Sequence, residues 1–251
     1  MRQNKVMKSR RNSPAKGSAL VWERPERASR PVLEPLSRER IVRAAIAIAD
    51  AEGLVAVSLR KIAAALAAGP MRLYGYVATK EELLELMVDA IFGEMIAAEP
   101  KGRNWREALR SFAHRTRKAA GDHAWFIDLL GGRMHLGPNA LAYLEASLAA
   151  LSSAPGFADI DAVMAAVSAV NAYVIGAIRS EQSELRAEKE SGMNKSQWQL
   201  ASEPYIYRML ATGRFPTLAK VVKEATHPPR EVVFDRGLEC LLDGIAARLA
   251  G

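Results

Sequence analysis

The sequence predicts an all-α protein, and three observations carry that expectation. Hydrophobic residues make up 49% of the chain, with Ala and Leu dominating and few β-branched runs. Beyond residue 37, apolar residues recur at three-and-four spacing, the period of a helix with one buried face. Capping residues and Gly or Pro turn signals then divide this pattern into segments of helical length. The predicted organisation is a basic tail over 1–36, a helix-turn-helix domain over 37–97 and a helical domain over 98–251.

Residues 1–36 mix Pro, Ser, Arg and Lys without sustained periodicity and read as a mobile tail. Nine basic groups face three acidic ones there, a net charge of +6 out of +7, whereas the remainder holds 26 basic and 25 acidic residues. The high pI therefore belongs to the tail and says nothing about what the folded body binds. The tail is either an arm adding salt-sensitive phosphate contacts or a solvated extension. Val21-Trp22 and 31–36 are the places where it can dock.

Ser37 suits the N-cap of the first helix, and Ile41, Ala44, Ala45, Ile48 and Ala49 form its stripe before Gly53 ends it. Ser58 caps a second helix with Leu59, Ile62, Ala63 and Leu66 on its apolar face. Ala67-Ala68-Gly69 breaks the pattern, and Pro70 suits the first turn of a third helix running to about Val77. That helix turns Leu73 and Val77 inward and carries Arg72, Tyr74 and Tyr76 on its outer face. A short braced helix with such a face is what reading DNA in the major groove requires. Thr79 and Glu82 form a capping box, opening a long helix through Leu83, Leu84, Met87, Val88, Ile91, Phe92 and Met95 that Pro100 stops.

Further helices are expected at 104–120, 122–130, 138–152, 159–189, 217–225 and 230–249, punctuated by Gly131-Gly132, Gly137-Pro138, Pro155-Gly156 and Pro228-Pro229. The segment 191–216 reads as loop with a short helix near 205–210. No apolar run approaches the roughly 18 residues of a membrane span, and the N-terminus lacks the apolar core of a signal peptide. The lone Cys240 fits a reducing cytoplasm and, among Leu238, Leu241, Leu242 and Ile245, is expected to be buried and inert. His114, His123, His135 and His227 show no metal-ligand spacing. There is no nucleophile–base arrangement and no glycine-rich phosphate loop, so no cofactor, metal or catalytic residue is assigned.

These residues resemble the tetracycline-repressor (TetR) family of transcriptional regulators. SRERIVRAAIAIADAEG followed by SLRKIAAALAAGPMRLYGYVATKEELLELMVDAIFGEM carries the resemblance over about sixty residues. Trp105-Arg106-Glu107, His123-Ala124-Trp125, Leu136-Gly137-Pro138-Asn139-Ala140-Leu141 and Phe234-Asp235-Arg236-Gly237-Leu238 resemble the C-terminal domain of the branch that includes the tetracycline repressor. The chain departs from the family pattern at Ala67, where Gly is usual, at Gly69, where a polar cap is usual, and at Gly75, often basic or bulky in relatives. Those changes bear on the operator, not on the DNA-binding role.

The resemblance implies phosphate contacts for Tyr74 and Lys80, base-edge approach for Arg60, Pro70, Met71 and Arg72, and a backbone or thymine-methyl contact for Tyr76. It also implies an effector pocket among the C-terminal helices. Phe112, Trp125, Phe126, Met134, Tyr143, Met164 and Tyr173 are the candidates to line it, with plain core packing as the competing reading. Residues 160–178 and the C-terminal helix offer faces that suit either a four-helix interface between two copies or burial within one subunit. The expected protein is a cytoplasmic homodimeric repressor, without a membrane segment, released from a palindromic operator by a small-molecule inducer. A non-specific basic DNA binder and an α-helical enzyme are the alternatives.

Overall fold

Ser37 opens the first helix in the computed structural model, which describes residues 20–23, 35–97, 104–157 and 159–249. Its hydroxyl oxygen accepts the Arg40 N–H at 3.2 Å, and α1 (Arg38–Glu52) buries Ile41, Val42, Ala45, Ile48 and Ala49. Gly53 ends it at φ +81°, donating its N–H to the Ala49 carbonyl. A 3-10 turn (Leu54–Ala56) leads to Ser58, which caps α2 (Leu59–Ala65) by accepting the Lys61 N–H. α3 (Pro70–Leu73) and α4 (Lys80–Ala97) complete the N-terminal unit, with Ile62, Leu73, Val77 and Leu83 fully buried between them. Glu82 donates its N–H to the Thr79 hydroxyl oxygen, but its carboxylate reaches back to the Ala78 N–H, one residue beyond the expected box. The expected stop at Pro100 and most of the basic tail lie outside the described residues; within the tail, Trp22 is partly buried against the core.

The C-terminal unit starts at the Asn104 cap with α5 (Trp105–Asp122), followed by α6 (Phe126–Leu129) and α7 (Pro138–Ser152). The helix expected over 122–130 is thus mostly the end of α5, a corner and a single short turn. The corner forms because His123 leaves helical geometry (φ −128°, ψ 80°), which lets Trp125, Phe126 and Ile127 drop into the core. Arg179 fastens α6 to α8 (Ile160–Ser191), donating to the Leu130 and Ile127 carbonyls at 2.6 and 3.3 Å. α11 (Arg230–Leu249) lies against α8 through Phe234, Leu238 and Leu242.

Three expectations change here. Residues 191–216 hold α9 (Lys195–Leu210), opened by a capping box between Asn194 and Gln197, and α10 (Pro216–Glu224) follows. The short helix expected near 205–210 is only the end of α9; the rest shows no signal because none of its side chains is buried, which leaves no apolar stripe, and because Pro204 sits inside it. Cys240 is exposed, not buried: it lies on the face of α11 turned away from Leu238 and Leu242. Finally, α8 is long and apolar enough by length and composition to cross a membrane. Much of that apolarity is Ala, and Val163, Val167, Val170, Val174 and Ile178 are buried in the protein core.

Candidate nucleic-acid interface and effector core

The candidate interface is built from two short helices, α2 and α3, held together by their apolar sides. Ile62 and Ala63 of α2 and Leu73 of α3 are completely buried, so the opposite faces project outward. Between them Ala67 adopts φ +49°, the left-handed backbone normally left to glycine. It allows the chain to turn in so few residues; the Ala68 N–H closes the turn on the Ala63 carbonyl at 2.9 Å. α3 itself is only one turn, and residues 74–77 continue as hydrogen-bonded turns on Arg72 and Leu73, with Gly75 in the middle.

Of the expected DNA contacts, Arg60, Pro70, Met71, Arg72, Tyr74 and Lys80 are all exposed, Met71 at 80% and Tyr74 at 51%. Lys80 stands at the start of α4, its ammonium 3.4 Å from the Leu54 carbonyl. Tyr76 is different: only 8% exposed, it packs with Val77 and Leu73 in the core, where its ring braces α3 rather than facing outward. The pattern of alternating aromatics in Tyr74-Gly75-Tyr76 concealed this, since only the fold decides which ring turns in.

Side chains of α1 and α4 grip the C-terminal unit at three points. Asp50 of α1 accepts hydrogen bonds from the Trp125 indole N–H at 2.7 Å and from His123 Nδ1 at 2.9 Å. Glu94 of α4 stands 3.4 Å from the other nitrogen of His123. Glu85 of α4 contacts His135 Nδ1 at 3.0 Å, while His135 Nε2 lies 3.2 Å from the Leu129 carbonyl. Asp89, 4% exposed, takes the Ala140 N–H at 2.8 Å and the Asn139 amide at 3.0 Å, capping α7 from α4. Burial raises the Asp89 carboxyl above the usual range, a shift that the hydrogen bonds from Ala140 and Asn139 only partly oppose. The sequence motifs around His123 and Gly137 hinted at these grips, but Asp50, Glu85, Asp89 and Glu94 carried no signal of their own.

The candidate effector residues do not converge. Phe112, Trp125, Phe126 and Tyr143 are buried in one aromatic centre, organised around Phe92, which the sequence did not single out. Phe92 meets Phe126 edge-on at 5.6 Å and Tyr143 at 5.3 Å, and Phe112 meets Tyr143 at 5.0 Å. The Arg115 guanidinium covers the Phe112 ring at 4.9 Å. Burial pushes the Tyr143 phenol up to about 12, although the Thr116 hydroxyl lies 3.2 Å away. Met134 and Met164 are exposed, which removes them from any shared cavity with these rings. Tyr173 instead reaches α11, donating its hydroxyl to the Phe234 carbonyl at 2.7 Å, and Gly237 leaves room for it, since a Cβ there would sit 2.3 Å from the Tyr173 hydroxyl oxygen and push the ring aside. At the remote edge of the domain, Arg106 and Arg110 of α5 both pair with Glu239 of α11, holding its carboxyl down at about 2.

The model of the tetracyclin repressor-like C-terminal domain matches residues 98–249. The chain is 36% identical to the HTH-type transcriptional repressor DrrR1 of Streptomyces coeruleorubidus, over 92% of this chain and 85% of that one. It is 37% identical to an HTH-type transcriptional regulator of Saccharopolyspora erythraea, over 96% of this chain and 97% of that one. Among solved structures, it is similar to the Streptomyces coelicolor TetR family protein ActR in complex with actinorhodin. That match has a TM-score of 0.72 and 27% identity, and it covers 86% of this chain and 97% of ActR.

Proposed function

The chain belongs to the tetracycline-repressor family of transcriptional regulators, and from that premise we propose how its parts divide the work. It is a DNA-binding repressor with a helix-turn-helix head and a helical, ligand-responsive C-terminal domain. The observation that carries the residue-level reading is the split of α3 and the turn after it. Leu73 and Val77 are fully buried, while Arg60, Met71, Arg72 and Tyr74 stand exposed. Arg60, Pro70, Met71 and Arg72 approach base edges, Arg72 by a two-pronged contact to guanine. Tyr74 and Lys80 bind phosphates and fix the register. Residues 37–97 are the reading domain and 98–251 the effector and dimerisation domain.

The working unit is a cytoplasmic homodimer. Supporting this, α8 exposes Ala165, Ser168, Ala172 and Gly176, and α11 exposes Cys240, Gly244 and Ala247, two small-residue faces suited to close helix packing. α9 and α10 bury nothing within one subunit. A two-fold axis then asks for a palindromic operator whose half-sites lie about one helical turn, roughly 34 Å, apart or a small multiple of it. An effector in the C-terminal domain shifts α4 and α1 through Asp50, Glu85, Asp89 and Glu94 and changes the spacing of the two heads. ActR, bound to actinorhodin, supports an organic effector here as well. The coupling is reciprocal, so operator DNA weakens effector binding by the same factor. Regulation rather than catalysis is the role these features support.

Enrichment of bound duplexes from random DNA tests this. A palindrome with one consensus is expected; recovery without sequence preference would replace the operator reading with non-specific binding.

A further inference from the structure

His123 stands at the end of α5, where α1 and α4 of the N-terminal unit both reach it. Its side chain is only 14% exposed, and each ring nitrogen faces a carboxylate. Nδ1 lies 2.9 Å from Asp50 of α1, and Nε2 lies 3.4 Å from Glu94 of α4. The Asp50 oxygen that Nδ1 meets also accepts the Trp125 indole N–H at 2.7 Å, which holds that carboxylate in place. The other charged groups of this corner have their own partners. Asp122 pairs with Lys118 along α5, and Asp128 of α6 pairs with Arg186 of α8. Arg115 of α5 donates to the Met95 carbonyl of α4 at 3.0 Å. α8 also brings Gln182, uncharged, whose amide donates to the Ala120 carbonyl.

Ionised carboxylates only accept hydrogen bonds, and a neutral imidazole carries a single N–H. With that proton on Nδ1 for Asp50, the lone pair of Nε2 turns toward Glu94, and two acceptors stand 3.4 Å apart. The imidazolium has an N–H on each nitrogen and serves both carboxylates, with charge assistance. Proton uptake thus turns a one-sided contact into a bridge from α1 through the corner to α4. Histidine is the side chain whose ordinary titration falls between pH 5 and 8. We propose that Asp50, His123 and Glu94 form a proton-operated latch between reading head and C-terminal domain, and that closing it tightens operator binding. Two heads must hold one spacing to engage both half-sites, and a head already fixed to its core loses less freedom on binding. This rests on reading α1 and α4 as the link between the DNA-binding and effector domains.

The test is the affinity of the full chain for the enriched duplex, followed from about pH 8 to about pH 6 at fixed ionic strength. Glu94 is 63% exposed, so solvent screens the contact and the effect is modest. Over that range wild type should gain about two- to fivefold more affinity than His123→Gln, whose amide N–H still serves Asp50 but takes up no proton. The two curves should meet at the alkaline end and part toward acid, whereas a merely structural role for the ring offsets them in parallel. Glu94→Gln gives the neutral ring the donor it lacks at Nε2, so it should lose the His123-dependent part of the slope. Parallel curves for wild type and His123→Gln, or a Glu94→Gln chain with the wild-type slope, overturn the latch. Weaker binding toward acid that disappears in His123→Gln overturns its stated direction. Hydrogen exchange in the last turn of α1 needs no DNA. Wild type should exchange more slowly than His123→Gln at the acid end and at the same rate at the alkaline end; equal rates at both overturn the latch. Failure to enrich any duplex counts instead against the operator reading, and hydrogen exchange still decides the latch.

Discussion

Asp89 accepts the backbone N–H of Ala140 at 2.8 Å, so the helix leaving the reading head holds the first turn of α7 by a buried carboxylate. Gly137 makes that approach possible, since a Cβ there would lie 2.2 Å from the Asp89 oxygen. Asp89→Ala leaves the Ala140 N–H and the Asn139 amide without their acceptor, and should cost about 1–3 kcal/mol in urea unfolding. Asp89→Asn keeps an acceptor and should stay near wild type. The sign of the pH effect follows from a carboxyl raised by burial. The unfolded chain ionises first, so this group's stabilising contribution is whole below pH 3.8 and is lost as pH rises through its folded value. Asp89→Asn should therefore flatten the stability profile above that point.

Glu239 shifts the other way, down to about 2 under the guanidinium groups of Arg110 and Arg106. Its contribution is present above pH 4.5 and disappears as pH falls toward 2. The carboxylate side chain is 36% exposed, so solvent screening keeps the gain below about 1 kcal/mol. Glu239→Gln should be slightly less stable than wild type at neutral pH, equal to it in acid, and closer to it in high salt, as followed by denaturant titration.

The turn of the reading head stores strain at Ala67, φ +49°. Ala67→Gly should raise stability by roughly 0.5–1 kcal/mol, because a left-handed residue with a Cβ costs more than glycine's extra freedom in the unfolded chain. Thermal denaturation reads this directly. An unchanged or lowered midpoint would mean the strain is relieved elsewhere.

Tyr74→Ala should weaken binding to all duplexes alike, as a lost phosphate contact does. Arg72→Ala should relax preference at one base position, by about 1–3 kcal/mol of discrimination. Competition binding against single-base variants of the enriched operator separates the two. Equal loss at every position would remove Arg72 from base reading. A chain lacking residues 1–36 should keep its preference while its salt dependence becomes shallower.

Gly244 is exposed on α11 and a Cβ there meets no atom within 4 Å in the single chain. Gly244→Trp should leave the subunit folded and shift sedimentation from dimer to monomer. A dimer that survives the substitution places the interface on another face.

The helix-turn-helix was legible because its signals are local: Ser37, Ser58 and Thr79 as caps, Pro70 at a first turn, and apolar stripes of matching period. The C-terminal core was less so. At the corner where α5 ends, His123 meets Asp50 and Glu94 across space, and no spacing along the chain announces that. The residues expected to line an effector pocket part company in the fold: Phe112 and Tyr143 face each other, Tyr173 reaches α11, and Met134 and Met164 turn to solvent, and no spacing along the chain announces that division. α9 hid for the opposite reason: none of its side chains is buried, so it had no stripe to show.

The arm formed by α9 and α10 leaves Trp198, Leu200, Tyr205 and Tyr207 in water. With no buried contact of its own to protect it, such a segment opens readily and offers proteases an early cut. If a second copy covers it, a solitary subunit is the form destroyed first, and the cell's supply of the regulator is set by pairing as well as by synthesis. Survival would then rise more steeply than expression, and a brief pulse of new chains would leave little trace until enough had found partners.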